Sequence, residues 1–107
     1  MPEQRHFGDL IRSLRRDRQE PLRVIAAAVG IDSTLLCKLE RGERFPTEAQ
    51  IAGIARVFQR DETELRGLVI ADRMLSEYGD VNAAVYAAQF IREEIEPYIC
   101  GQEGLRK

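Results

Sequence analysis

The 107-residue sequence has little of what enzymes and metal proteins usually depend on. It contains one histidine, two cysteines and no tryptophan. Cys37 and Cys100 are far apart and form no CxxC pattern, which argues against a disulfide framework or a zinc site and favours a reducing cytosol. His6 has no clustered ligand residues, so we expect no metal and no cofactor. Because no histidine is placed to activate a serine, we also expect no enzyme.

Long apolar runs are absent as well. The longest, residues 24–29 (VIAAAV), is half alanine. A membrane-spanning helix needs about 20 mainly apolar residues, so we expect no membrane association. The first residues, MPEQRHFGD, are too polar for a signal peptide. These features predict a cytoplasmic protein of one domain, or of one domain with a short appendage.

The mild net charge of −2 hides an asymmetry along the chain. Residues 1–60 carry 11 Lys and Arg against 8 Asp and Glu, whereas residues 61–107 carry 5 against 10. A basic half and an acidic half suggest two roles. We expect the first half to face an anion and the second half to face protein or water.

Apolar residues recur at spacings of three and four along the chain, and no alternating strand pattern occurs. The sequence therefore predicts an all-α fold of six helices. The first three should span residues 7–18, 21–30 and 33–41. TEAQ (residues 47–50) and DETE (residues 61–64) are expected to begin the fourth and fifth as capping boxes. The sixth should run from Val81 to about Glu96 and end at Pro97.

The joint between the second and third helices has the pattern of a tight helical corner. Pro21 suits the first turn of the second helix, and Gly30 suits its C-terminal cap. Asp32 offers an N-cap for the third helix, while Leu36 and Leu39 return to the core. The outer face of the third helix is left with Ser33, Thr34, Leu35, Cys37 and Lys38. That face resembles neither a core nor an ordinary solvated surface.

From Gly8 to about Leu68, the sequence resembles the Cro and phage-repressor type of helix–turn–helix domain, the XRE family. The matching stretches are IRSLRR, LRVIAAAVGID, LCKLERGERFP and IAGIARVF. The most specific set is Ala26, Gly30, Leu39-Glu40-Arg41-Gly42 and Pro46 at these separations. The resemblance implies a five-helix phage-repressor-like domain, here followed by a C-terminal amphipathic helix.

The same resemblance implies that the third helix enters the DNA major groove. Its base-contacting residues would be Ser33, Thr34 and Lys38, with Leu35 either touching a thymine methyl or packing against the second helix. Phosphate contacts would come from Arg23, Arg41 and Arg44. In such domains the Glu of the LERG stretch pairs with an Arg of the first helix, so a structural Arg15–Glu40 ion pair is expected. Pro21 and Leu22 depart from the family pattern, and Arg23 is expected to take over their phosphate contact.

The acidic end carries a further amphipathic segment, DVNAAVYAAQFIREEIE. Its apolar residues form a heptad-like seam: Val81, Ala84, Val85, Ala88, Ile91 and Ile95. The seam either folds back onto the fifth helix or pairs with a second subunit, and we favour dimerisation. The three tyrosines are expected to be packing residues. These patterns divide the chain into a DNA-binding domain, residues 5–78, and a dimerisation or partner-binding helix with a frayed tail, residues 79–107.

Together these features predict a sequence-specific, DNA-binding transcriptional regulator that acts as a homodimeric repressor on a palindromic operator in double-stranded DNA. A restriction–modification controller and an antitoxin-type autorepressor are narrower alternatives. A protein-interaction module that binds a partner through residues 80–96 is the alternative from a different class. Each cation near the third helix could also be an ordinary solvated charge, and Cys37 could be a redox switch or, as we favour, an inert side chain.

Overall fold

The computed structural model describes residues 6–98, and Cys100 lies outside this range. The described chain consists of six α-helices and contains no strand, which confirms the all-α prediction. The helices are α1 (His6–Asp17), α2 (Leu22–Val29), α3 (Ser33–Arg41), α4 (Glu48–Phe58), α5 (Glu62–Tyr78) and α6 (Val81–Phe90). After α6 the chain continues through a π-helical stretch, Ile91–Ile95, and three further helical residues. We call residues 81–98 the C-terminal helix.

Side-chain caps define where several helices begin. Asp32 caps α3, since its Oδ1 accepts a hydrogen bond from the Leu35 N–H at 2.7 Å. A complete capping box precedes α4: Thr47 Oγ1 accepts from the Gln50 N–H at 3.2 Å, and Gln50 Oε1 accepts from the Thr47 N–H at 2.9 Å. These bonds satisfy N–H groups that have no partner within the helix. The N-caps predicted at Asp32 and Thr47 are confirmed.

Two expected helix boundaries and one expected capping box are wrong. Pro21 has extended backbone angles and occupies the N-cap position, so α2 begins at Leu22. The second capping box is not formed: Asp61 caps α5 by accepting from the Thr63 N–H at 2.9 Å, not from the Glu64 N–H, and the Glu64 side chain does not accept from the Asp61 N–H. Pro97 does not end the C-terminal helix, which continues to residue 98. The π-helical stretch ends two residues before Pro97, in the turn where an unbroken α-helix would meet the proline ring.

One hydrophobic core joins the first five helices. It combines residues from α1, α2 and α3 with the inner faces of α4 and α5. Its buried members are Phe7, Ile11, Ile25, Ala26, Leu36, Leu39, Ile51, Ile54, Ala55, Phe58, Leu65 and Val69. The C-terminal helix contributes no buried residue to it. The core is therefore complete without the last helix.

A buried carboxylate on α5 holds the first turn of α1. Asp72 accepts backbone hydrogen bonds from the N–H groups of His6 at 3.1 Å and Phe7 at 2.9 Å. The His6 Nδ1 lies 2.7 Å from the same carboxylate. Asp72 thus acts as an N-terminal cap supplied from a distant helix, and it fixes α1 against α5.

Backbone contact also holds α1 close to α3. A Cβ atom added at the buried Gly8 would lie 2.6 Å from the Leu39 carbonyl oxygen and would overlap the Glu40 carbonyl oxygen. Only a residue without a side chain fits between the two helices there. Gly8 therefore sets the distance from α1 to the C-terminal turn of α3.

The three tyrosines, expected to be packing residues, are not packed within the described chain. Tyr78, Tyr86 and Tyr98 are 73%, 71% and 75% exposed. The C-terminal helix extends from α5 and does not fold down onto the core, so its aromatic residues have no interior to enter. An exposed aromatic surface is therefore a property of this part of the molecule.

Candidate nucleic-acid interface

A tight corner between α2 and α3 sets the direction of α3. Gly30 ends α2 in the left-handed region, with φ 92°, and its N–H donates to the Ala26 carbonyl. On α2, Ile25 and Ala26 are buried, and on α3, Leu36 and Leu39 are buried against the same core. The left-handed turn favours glycine because it has no Cβ. With its apolar side held in the core, α3 must present its other side outward.

The outward side of α3 carries the predicted base-contacting residues. Thr34 and Lys38 are exposed, and Ser33 is half-buried at the start of the helix. Leu35 is half-buried and packs against the core, although it also borders the outer surface. A shallow depression on this side is lined by Asp32, Thr34, Leu35, Lys38 and Arg44. A hydroxyl, a methyl group and two cations thus surround one concave surface.

Negative charge near this surface is limited. Asp32 is exposed, but its carboxylate accepts the Leu35 N–H at the start of α3, where the helix dipole is positive. Glu43 is the other exposed carboxylate close by, and its Oε2 lies 3.5 Å from Arg41 Nη1. Arg23 and Arg44 are both exposed. The exposed cations of α2, α3 and the loop after α3 therefore outnumber the exposed carboxylates.

A buried ion pair fixes the end of α3 to α1. Arg15 Nε donates to Glu40 Oε2 at 2.8 Å, and Arg15 Nη2 donates to Glu40 Oε1 at 2.9 Å. The third nitrogen, Nη1, donates to the backbone carbonyl of Glu20 in the loop before α2 at 3.2 Å. The hydrogen bond that Arg15 donates to Glu40 raises the pKa of Arg15 above its ordinary value. One guanidinium therefore joins α1, α3 and the connection to α2.

Comparison with known families finds a model described as a helix-turn-helix domain, which matches residues 6–68. This chain belongs to the helix-turn-helix family. The match covers α1 to α4 and part of α5, which is the segment that resembled the Cro and phage-repressor type. No curated protein and no solved structure matches the chain significantly. The family assigns a DNA-binding domain to the basic half of the sequence.

Three features of the helix-turn-helix domain were missed by sequence reasoning. Arg12 was not included in the expected ion pair, but its Nε lies 3.6 Å from Glu40 Oε1. The spacing of Arg12 and Arg15, three residues apart on α1, could have indicated that both face the same carboxylate. The α1 cap from Asp72 and the close approach at Gly8 left no local signal, because each depends on a residue distant in the sequence.

Other kinds of site lack support within residues 6–98. No group of three or more His, Cys, Asp or Glu residues in that range is arranged to hold a metal ion. Cys37 is half-buried on α3. None of the described helices is long and apolar enough to cross a membrane. The surface around α3 is therefore the best-supported candidate site of this helix-turn-helix protein.

Proposed function

We propose that this helix-turn-helix protein is a sequence-specific transcriptional regulator that binds double-stranded DNA as a homodimer and represses transcription from a palindromic operator. The observation that carries the proposal is the outer side of α3, where exposed Thr34 and Lys38 share one depression with Arg44. Helices of such domains enter the major groove, which is wide enough to admit an α-helix.

Base recognition would rest on residues near the start and middle of α3. Lys38 can donate to the O6 and N7 atoms of guanine, and the hydroxyls of Ser33 and Thr34 can bond to several bases. The methyl group of Thr34, or the edge of Leu35, can contact the methyl group of thymine. Because Leu35 also packs against the core, it would contribute shape more than specificity.

Phosphate binding would rest on the cations around α3. Arg41 ends the helix and Arg44 follows it, so both would grip the backbone beside the groove. Arg23 is exposed in the first turn of α2, whose N-cap residue, Pro21, makes no side-chain capping bond. The N–H groups at that helix end, with Arg23 beside them, suit a phosphate. The acidic total charge does not oppose this, since phosphate contacts depend on local charge.

Two copies would be needed to read a palindromic site. A two-fold dimer presents its recognition helices about 34 Å apart, to successive major grooves. The seam residues Val81, Val85, Ile91 and Ile95 are 40–54% exposed within one chain, and this supports their use between chains. Restriction–modification control and antitoxin-type autorepression remain narrower forms of the same function.

A second candidate function is a protein-interaction module. The observation that favours it is the exposed, apolar and acidic C-terminal helix, which includes Tyr86, Phe90, Glu93 and Glu94 around one shallow depression. In that function the helix-turn-helix domain would keep its fold, and a partner protein would bind residues 80–96.

The test is selection of bound duplexes from a randomised pool over a series of salt concentrations, followed by binding of two alanine variants. We expect a palindromic consensus and a steep salt dependence. Lys38→Ala should weaken binding to the consensus by about 1–3 kcal/mol and relax preference at one base pair. Arg44→Ala should weaken all sequences alike and reduce the slope of log affinity against log salt by about one.

The two variants serve as controls for each other, since both remove an exposed cation from the same depression. If Lys38→Ala keeps the full base preference of the parent, the base-contacting assignment is wrong. If the parent selects no consensus above non-specific binding, the regulator proposal fails, and the protein-interaction module becomes the better account of this chain.

A further inference from the structure

Among residues 6–98, nothing covers most of the C-terminal helix. No residue of α6 is buried, and none of its ten residues, VNAAVYAAQF, is charged. In contrast, 32% of the whole sequence is charged. A helix that is apolar nearly all round is ordinarily a buried helix. Here only one side of α6 faces the neighbouring helix α5, where Ala84 and Ala87 are half-buried.

A second uncovered apolar surface runs along α5. Ile70, Met74 and Tyr78 follow one another at intervals of four residues, so they lie on one face of the helix. Ile70 is 50% exposed and Tyr78 is 73% exposed. This face leads into an apolar groove between α5 and α6, which is lined by Met74, Tyr78, Ala83, Ala84 and Ala87. The helix-turn-helix domain and the C-terminal helix therefore share one continuous uncovered surface.

We infer that a second copy of this chain covers that surface by helix exchange: each C-terminal helix lies in the α5–α6 groove of the other copy. A side-by-side pair of C-terminal helices would cover one face of each helix only. Exchange places α5 of the second copy, as well as its α6, against the remaining faces. The inference rests on the homodimer proposed above, but it does not depend on DNA binding.

The distribution of charge favours an antiparallel exchange. The charges of the C-terminal helix, apart from its cap Asp80, lie in the last turns: Arg92, Glu93, Glu94 and Glu96. Parallel helices would bring two sets of three glutamates together, which is unfavourable. Antiparallel helices place each acidic end beside the uncharged residues 81–90 of the other copy. A two-fold axis that crosses the middle of the C-terminal helix at right angles makes the two copies of the helix antiparallel, and both copies then use the same surface.

The exposed apolar area is suited to a dimer. Tyr78, Tyr86 and Phe90 are 73%, 71% and 48% exposed, so they offer roughly 400 Å² at about 200 Å² per aromatic side chain. The exposed aliphatic residues add roughly 200 Å²; they are Ile70, Val81, Val85, Ile91 and Ile95. The sum of roughly 600 Å² per copy approaches the about 800 Å² that each partner buries in a standard interface.

The test measures the oligomeric state of the full chain by sedimentation equilibrium between about 1 and 100 μM. We expect a dimer. Val85→Glu on α6 and Ile70→Glu on α5 should each raise the dimer dissociation constant by about tenfold or more, because each would bury a charge in the interface. Val24→Glu on α2, where the parent valine is 37% exposed, is the matched control and should leave the dimer intact. Far-ultraviolet circular dichroism checks that the variants stay folded.

Three outcomes would overturn the inference. A parent chain that stays monomeric over the whole range would mean that a different protein covers the surface. A dimer that resists Val85→Glu would place the interface elsewhere. If Val85→Glu abolished the dimer but Ile70→Glu did not, α5 would lie outside the interface. The two C-terminal helices would then pair side by side, without exchange.

Orientation and DNA binding are tested separately. Two variants are made in a background with Cys37→Ser and Cys100→Ser: one carries Val81→Cys and the other carries Ile95→Cys. When the two variants are mixed and oxidised, a disulfide should form between position 81 of one chain and position 95 of the other. Disulfides formed only between identical chains would show parallel helices and contradict the antiparallel exchange. A dimer that passes these tests but selects no DNA consensus would refute the regulator proposal alone, so the two failures are distinguishable.

Discussion

The buried Arg15–Glu40 pair allows a sharp test of what positions α3. The Glu40 side chain is 3% exposed and that of Arg15 is 15% exposed, and two hydrogen bonds of 2.8 and 2.9 Å join them. Removing one partner leaves a buried charge without its main counter-charge, which costs about 3–5 kcal/mol in comparable cases. Arg15→Ala should be near that range, because Arg12, 3.6 Å from Glu40, can compensate only in part. Against a total stability of about 5–15 kcal/mol, such a loss is large.

The control is an exposed pair that also links an arginine and a glutamate. Arg73 Nε lies 3.3 Å from Glu77 Oε1 one helical turn away, and the two side chains are 53% and 48% exposed. Solvent screens such a pair, so Glu77→Ala should cost about 0.5 kcal/mol or less. Glu40→Ala makes the same chemical change in a buried place. Both variants replace a helical glutamate by alanine, so the change in helix propensity is the same. The difference between their free energies of unfolding therefore reports the effect of burial.

Urea unfolding followed by circular dichroism measures these differences. A double-mutant cycle of Arg15→Ala and Glu40→Ala isolates the coupling between the two side chains. Because the pKa of Arg15 is raised from a value that is already high, its stabilising charge is present at neutral pH and would be lost only in strong alkali. A coupling no larger than that of the Arg73–Glu77 pair would refute the reasoning that burial makes this ion pair structurally important.

Two further changes test the contacts that hold α1. Gly8→Ala should lower the free energy of unfolding by about 1–3 kcal/mol, because the new Cβ would meet the Leu39 carbonyl at 2.6 Å. If the Gly8→Ala variant unfolded at the same temperature as the parent chain or at a higher one, α1 and α3 would not be in such close contact. Asp72→Asn should cost about 1–2 kcal/mol, since one of the two oxygens that accept the His6 and Phe7 N–H groups is replaced by an NH2 group, which cannot accept. Asp61→Asn, at the exposed cap of α5, is its control and should be nearly neutral; equal losses at both sites would contradict a special role for Asp72.

Local signals in the sequence determined where most helices begin and end. Asp32 and Thr47 were recognised as N-caps, and Gly30 as a C-cap, because each acts on atoms only a few residues away. The spacing of apolar residues likewise indicated the inner faces of α2 and α3, and hence which side of α3 remains outside. Asp61 was correctly expected to begin α5, but it caps the helix without the expected capping box. The signal at Pro97 misled, because a proline can be accommodated by a widened turn.

The sequence by itself determined the helix-turn-helix order, the basic surface around α3 and the apolar character of the last helix. Only the tertiary structure decided what touches what across the chain. The cap from Asp72 to α1 spans 65 residues, and the contact at Gly8 involves carbonyl oxygens of a different helix. The exposure of α6 was likewise undecided, because an apolar helix can pack on its own chain or on another. Such features depend on the path of the whole chain in space, and no periodicity or cap within one segment encodes that path.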